Sequence, residues 1–548
     1  MRRMKQAAAL QTRWRIDLAL VAVALLVRFV LLPYASLDAN DSATRIWLGW
    51  RWADDPHWIT NGLWGPLHFY LIGTVLRFWP DPVWAPMVMH ACIGALVPVV
   101  VYRLTYELFG SHRSATAAGL VFAFYPAAIA VSLGARVETP FLLLFGIGLI
   151  ALVRAWRADG EMRHAVFAGL AITLASMLRY EAWILMPFLA LLLISHPGRA
   201  AAFLATAMIH PVIWMIGSYL EFGNLLFSIT TTSSYVEDAT AHAPETQLVA
   251  GLGRVARLIA ATGVEMTVPV ALMVAVGVIE SLRSKRAESA WLIPPMALFA
   301  VFAYFAFRSS LPTKNSYSTT FGLLLIPFAA LALQRLGIER WSRRGCMAGA
   351  GALLAAMCLF MSGSLIERLP GGKSLSAEAV PTVADEASVR QLQALLQEAA
   401  LTPGRDALIA DNFGPRSTVY VAWQTGLHPE AICRDATVAN WHVTTEEIRS
   451  FLQKNRAGMM ITRPSGRISS HLALDSPYSG VMDGIALRLT PVGSVPWESD
   501  QPERDYGAVS VTRYEVVDTP GAAPFAMAPD CSRNCPLMLC RHPASMYR

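Results

Sequence analysis

Apolar runs long enough to cross a bilayer recur every 20–35 residues or so as far as about Ile366, which restricts this chain to a polytopic membrane protein. A span needs about 20 mostly apolar residues, wound as a helix so that each backbone N–H and C=O is satisfied without water. Such runs fall at about 17–33, 83–106, 115–133, 137–155, 164–181, 183–195, 200–220, 266–282, 290–307, 318–335 and 346–366, about eleven in all. The first is too long and too polar-flanked for a cleaved signal, and no small-residue cleavage site follows it. Of 548 residues, 54% are hydrophobic and 15% charged, against about 25% charged in an ordinary soluble domain. From Pro370 onward the chain reads as such a domain. Two parts are therefore expected, a transmembrane part over 1–366 and a soluble part over 367–548.

The net charge of +6 belongs to orientation rather than to nucleic acid, because the basic residues sit in short turns between spans. With the N-terminus in the cytoplasm, every turn assigned inside is basic: Arg2 to Arg15, Arg103 and Arg113, Arg154 to Arg163, Arg199, Arg283 to Arg286, and Arg335 to Arg344. The opposite turns are longer and richer in acids and aromatics. An odd number of spans then puts residues 367–548 outside, and the short, compact loops fit a bacterial inner membrane with a periplasmic C-terminal domain.

That C-terminal domain is expected to be a small α/β sheet domain. Ser388 to Ala399 and Glu446 to Gln453 have helical periodicity, while Ala407 to Ala410 and Gly458 to Thr462 read as short strands. Neither a phosphate loop nor a nucleophile elbow occurs in it. Cys531, Cys535 and Cys540 allow a disulfide in an extracytoplasmic setting, with one partner left over; without paired CxxC spacing they argue against a metal site.

Three outside segments carry candidate chemistry. The first, about 34–82, holds Asp38, Asp41 and Arg45 among tryptophans suited to short interfacial helices. Asp41 reads equally as a general base for an acceptor hydroxyl or as the cap of a helix starting at Ser42. The second, about 221–265, has the length of a lid or acceptor loop, and the third, about 308–317, offers Arg308 and Lys314 as cations for a phosphate. Arg136 with Glu138, and Arg179 with Glu181, lie in tight outside turns, where each is either an interfacial ion pair or part of an anion site. Arg28, inside the first apolar run, needs an anionic partner or interfacial water.

In this order the residues resemble the GT-C superfamily of membrane glycosyltransferases, within it the protein O-mannosyltransferase and aminoarabinose transferase group. Leu37-Asp-Ala-Asn-Asp41-Ser-Ala-Thr-Arg45 matches the acidic motif of the first outside loop, with Ser42 where the family commonly has a second acid. Trp64-Gly-Pro66-Leu67-His68-Phe-Tyr70 is similar to its Pro-Pro-Leu-Tyr-like stretch. Ala135-Arg136-Val-Glu138, Leu178-Arg179-Tyr-Glu181 and Lys314-Asn-Ser-Tyr317 match its later motifs, so that the resemblance covers about 15–340. It implies inverting transfer of a sugar from a polyprenyl-phosphate-sugar donor to an extracytoplasmic hydroxyl on a lipid, glycan or protein. Asp41, or Asp38 in its place, would be the base. Arg136, Arg179 and Lys314 would hold the phosphate, with Glu138, Glu181, Tyr317 and His68 completing the site. No cofactor and no metal are implied, since the sugar is already activated on its lipid. The alternative from another class is a transporter or flippase. It would place its polar residues at mid-membrane between internal repeats, whereas here they lie at span ends and no repeat is evident.

Overall fold

The computed structural model describes residues 2–35, 37, 41–58, 64–228, 230–231, 248–308, 317–337, 340, 342, 345, 349, 384–402, 405–411, 415–434, 445–462, 472–476, 478–482, 484–496 and 508–517. Apart from Gly349, the expected last span at 346–366 lies outside the described residues, as do the Cys531, Cys535 and Cys540 group, Asp38 and Lys314.

The fold is helical through its first part, with a sheet domain after it. The chain divides into two compact units: residues 1–35, 62–68 and 87–380 form one, and residues 36–61, 69–86 and 381–548 the other.

Unit 1 is a bundle built on α1 (Arg2–Leu31), the main part of α4 (Trp84–Phe109), α5 (His112–Ala123), α6 (Pro126–Leu133) and α7 (Glu138–Trp156). After them come α8 (Met162–Ser176), α9 (Glu181–Leu191), α10 (Pro197–Ala207), α11 (Ile209–Phe222), α12 (Leu248–Glu265), α13 (Val268–Arg283), α14 (Ile293–Phe307) and α15 (Tyr317–Arg335). Among the described residues, five helical stretches are long and apolar enough to cross a membrane, or up to seven if each bent pair is one span. The run at 115–133, expected as one span, is such a pair. Tyr125 has an extended backbone and Pro126 sits at the first helical position, so α5 and α6 meet at 50°. The segment 221–265, expected as a loop, holds α12 instead, because Leu252, Val255, Leu258 and Ile259 recur at helical spacing opposite Arg254 and Arg257.

Burial separates core spans from peripheral ones. In α7 and α15, 72% and 78% of the most apolar window is buried inside the protein, against 28% for Pro197–Phe222, which turns Ile213, Ile216 and Leu220 outward. Such a face suits lipid, since exposed apolar side chains are at home there and costly in water. Close contacts are made by small residues. A Cβ on Gly94 of α4 would lie 2.6 Å from the Ser132 Cβ of α6 and 3.0 Å from Nε of the buried Arg28. That guanidinium donates to Ser132 Oγ at 3.0 Å and to the Ala24 carbonyl at 3.2 Å. Gly94→Val is therefore expected to destabilise the protein by about 1–3 kcal/mol through overpacking, read as a lowered Tm in detergent.

Unit 2 contains α2 (Asp41–Asp54), most of α3 (Leu67–Phe78), and a seven-stranded sheet with its helices α16 (Ala384–Glu398), α17 (Pro415–Thr425) and α18 (Thr445–Lys454). The strands are β1 (Ala407–Ala410), β2 (Ile432–Arg434), β3 (Ala457–Thr462), β4 (Leu472–Ser476), β5 (Ser479–Met482), β6 (Ile485–Pro496) and β7 (Ala508–Val516). Their order is β2-β1-β3-β7-β6-β5-β4. The first three run parallel, with Leu408 opposite Ile432 and Met459, because α17 and α18 supply the crossovers that parallel neighbours require. The other neighbours pair antiparallel. Ile409, Ile448, Leu452, Met460 and Tyr514 form the core between sheet and helices.

Candidate functional site

Four of the residues singled out from two separate motifs meet in unit 1. Arg136 and Glu138 flank the turn from α6 to α7, and Arg179 and Glu181 flank the turn from α8 to α9. Arg179 Nη2 lies 2.5 Å from Glu181 Oε1, its Nε donates to the same oxygen at 2.8 Å, and its Nη1 donates to Glu138 Oε1. Arg136 Nε lies 3.7 Å from Glu138 Oε2, so Glu138 bridges the two arginines. The side chains are only 9%, 2%, 12% and 7% exposed in chain order, which removes most of the solvent screening that weakens surface pairs. Tyr317, from a third motif, joins them: its ring lies 5.7 Å from the Arg179 guanidinium carbon and packs on Phe302 at 4.7 Å.

Local backbone explains why these side chains converge. Glu138 and Glu181 are each the first residue of their helix, where the positive end of the helix dipole favours a carboxylate. Ala135, fully buried, holds φ at +52°, a left-handed conformation that costs a non-glycine residue about 1–2 kcal/mol. It turns the chain between α6 and α7 immediately before Arg136, whose N–H donates to the Val131 carbonyl at 3.0 Å. As two cations and two anions the cluster is neutral. Three of the five N–H donors of Arg179 are spent on carboxylates, which leaves a rigid guanidinium with donor capacity toward a further anion.

His68 stands apart from this cluster in the pattern of its contacts. Fully buried at the start of α3, it meets His90 of α4 with Nε2 to Nε2 at 2.8 Å, so one ring donates and the other accepts. His90 carries no local motif, and only the fold reveals it.

In unit 2, Asp41 opens α2 rather than preceding it, so it lies in the first turn where a carboxylate favours the helix. Arg45, one turn on, donates from Nε to Asp41 Oδ1 at 3.1 Å and holds the carboxyl group in place. Arg45 is itself buried, with its guanidinium over the Phe69 ring at 5.8 Å. At the other end of α2, burial raises the Asp54 carboxyl above the usual carboxylate range, while His428 beside it pulls the other way. Among the described residues, no group of three or more His, Cys, Asp or Glu is placed to hold a metal ion.

Residues 64–217 match the family model described as dolichyl-phosphate-mannose-protein mannosyltransferase. No curated protein sequence matches the chain. The fold is similar to that of ArnT from Cupriavidus metallidurans, both bound to undecaprenyl phosphate and in the apo state. The bound form is 15% identical, with a TM-score of 0.57 over 90% of this chain and 97% of that one. The apo form is 14% identical, with a TM-score of 0.57 over 92% and 98%. The match over residues 64–217 and the ArnT-like fold together point to the GT-C glycosyltransferase superfamily.

Proposed function

We propose that the chain transfers a sugar, with inversion, from a polyprenyl-phosphate-sugar to a hydroxyl group of a lipid, glycan or protein on the outer face of a bacterial inner membrane. The observation that carries this reading is the buried cluster in which Arg136, Glu138, Arg179, Glu181 and Tyr317 meet. Rigid guanidinium forks held at span ends suit a phosphate that must sit at the membrane surface while its lipid tail stays among the helices. Undecaprenyl phosphate in the ArnT structure fits a donor of this chemistry.

In the reaction, Asp41 accepts the proton of the acceptor hydroxyl as its oxygen attacks the anomeric carbon. The bond from that carbon to the phosphate oxygen breaks, and polyprenyl phosphate leaves with the electron pair. Arg136, Arg179 and Lys314 stabilise the charge that collects on the leaving phosphate, Glu138 and Glu181 keep the arginines in register, and Tyr317 and His68 line the site. Asp38 is the substitute base should Asp41 serve only its helix.

The test is reconstitution of the purified protein with a panel of radiolabelled polyprenyl-phosphate sugars. Transfer to an added acceptor, or slow donor hydrolysis, is the expected result. Neither turnover nor donor binding across the panel would overturn the reading and leave a transporter as the better one.

A further inference from the structure

The first loop, with the α2 helix that carries Asp41, is tied to the C-terminal domain at three points. Four residues before α2, the fully buried Leu37 donates its N–H to Tyr420 Oη at 3.4 Å. At its last residue, Asp54 Oδ2 lies 3.2 Å from His428 Nε2, and the His428 ring packs edge-on against Trp50 at 5.6 Å. A third tie reaches the end of the same loop, where Trp423 Nε1 donates to Asp81 Oδ2 at 3.2 Å. The other oxygen of Asp81 accepts from the Val83 and Trp84 N–H groups at 2.9 and 2.7 Å, so this carboxylate also caps α4. Tyr420 and Trp423 belong to α17 and His428 follows it within three residues of its end. One short stretch, 420–428, thus grips residues 37, 54 and 81, more than 330 positions earlier in the chain.

We propose that this stretch of the C-terminal domain is the positioning element for the catalytic base, with Tyr420, Trp423 and His428 as its positioning residues. The inference rests on the sugar-transfer reading and deepens it. Each tie alone is weak. The His428–Asp54 pair is 45% and 42% exposed, and such pairs contribute little. Together they hold the C-terminal end of α2 and the loop on either side of it, on a helix whose first residue must meet an acceptor hydroxyl within about 3 Å, and a misplacement of about 1 Å at such a site can cost roughly 10²-fold in rate. The grip also accounts for the division of the chain, in which residues 36–61 and 69–86 of the first loop belong with the soluble domain rather than with the helical bundle.

The test compares the full chain in nanodiscs with its Tyr420→Phe/Trp423→Phe/His428→Ala variant, by amide hydrogen exchange and by steady-state transfer from the active donor of the panel. Exchange over residues 41–54 is expected to speed up by about tenfold or more while α7 and α9 keep their protection. The turnover kcat should fall by about ten- to a hundredfold with the donor KM unchanged. Unchanged protection of α2, or faster exchange with unchanged kcat, would overturn the proposal. Should the triple variant fail to fold, Tyr420→Phe/Trp423→Phe, which keeps an aromatic side chain at both positions, decides in the same way. A wild type that transfers no sugar sinks the sugar-transfer reading by itself, and the exchange comparison still shows whether 420–428 holds α2.

Discussion

Asp41→Asn is expected to lower sugar transfer by about 10²–10⁴-fold while the variant still binds the polyprenyl-phosphate-sugar donor. Asparagine keeps the size and shape of the side chain and can still accept from Arg45, whose Nε lies 3.1 Å from the Asp41 oxygen. What it cannot do is take a proton at neutral pH. The substitution also removes a carboxylate from the first turn of α2, which costs only about 0.3–1 kcal/mol, too little to unfold the protein and mimic a catalytic defect. Transfer kinetics set beside donor binding and Tm separate the two effects. Full activity in Asp41→Asn together with its loss in Asp38→Asn would move the base by three positions and leave the transfer chemistry standing.

Arg179→Met is expected to cost about 3–5 kcal/mol, the largest stability loss among these predictions, because it strands Glu181 in a buried site and leaves Glu138 with only the more distant Arg136. Arg179→Lys should fall between Met and wild type. An ammonium keeps the charge, but cannot reach both carboxylates with a planar fork or lie over the Tyr317 ring in the same way. The Arg179→Met/Glu138→Gln double variant should lose less than the two single losses added together, since both changes remove the same Arg179–Glu138 pair. Thermal unfolding in one detergent of wild type, the Arg179→Met, Arg179→Lys and Glu138→Gln single variants and the double variant measures all five proteins. Equal Tm values for wild type and Arg179→Met would mean that the cluster contributes nothing to stability.

Much of the candidate site was legible because its residues sit where sequence punctuation is strongest. Arg136, Glu138, Arg179 and Glu181 each fall in a short polar break between apolar runs, and an ionisable residue there needs a reason. That the two pairs share one carboxylate was not legible, because nothing in either turn encodes its distance from the other. The parallel strands β1 and β3 could be read because helical periodicity separates them. β4 to β7 were missed because hairpins leave no such interruption, and their pairing shifts register near Leu474 and Pro491. The bend at Pro126 hid inside a run apolar enough to pass for one straight span. His90 and the stretch 420–428 lacked any local signal, since their roles come from contacts with residues far away in the chain.

Each ion pair of the buried cluster is carried by a single turn, Arg136 with Glu138 and Arg179 with Glu181. During synthesis a lone charge entering the bilayer costs about 2.5–3.5 kcal/mol on insertion scales. Here each turn carries its own counter-charge two residues away, so that in the proposed topology neither turn brings an unmatched charge to the membrane. The link from Arg179 to Glu138 joins the two turns in the finished protein. The same four residues that could hold a substrate anion in the finished protein would thus have made each hairpin less costly to deliver to the membrane.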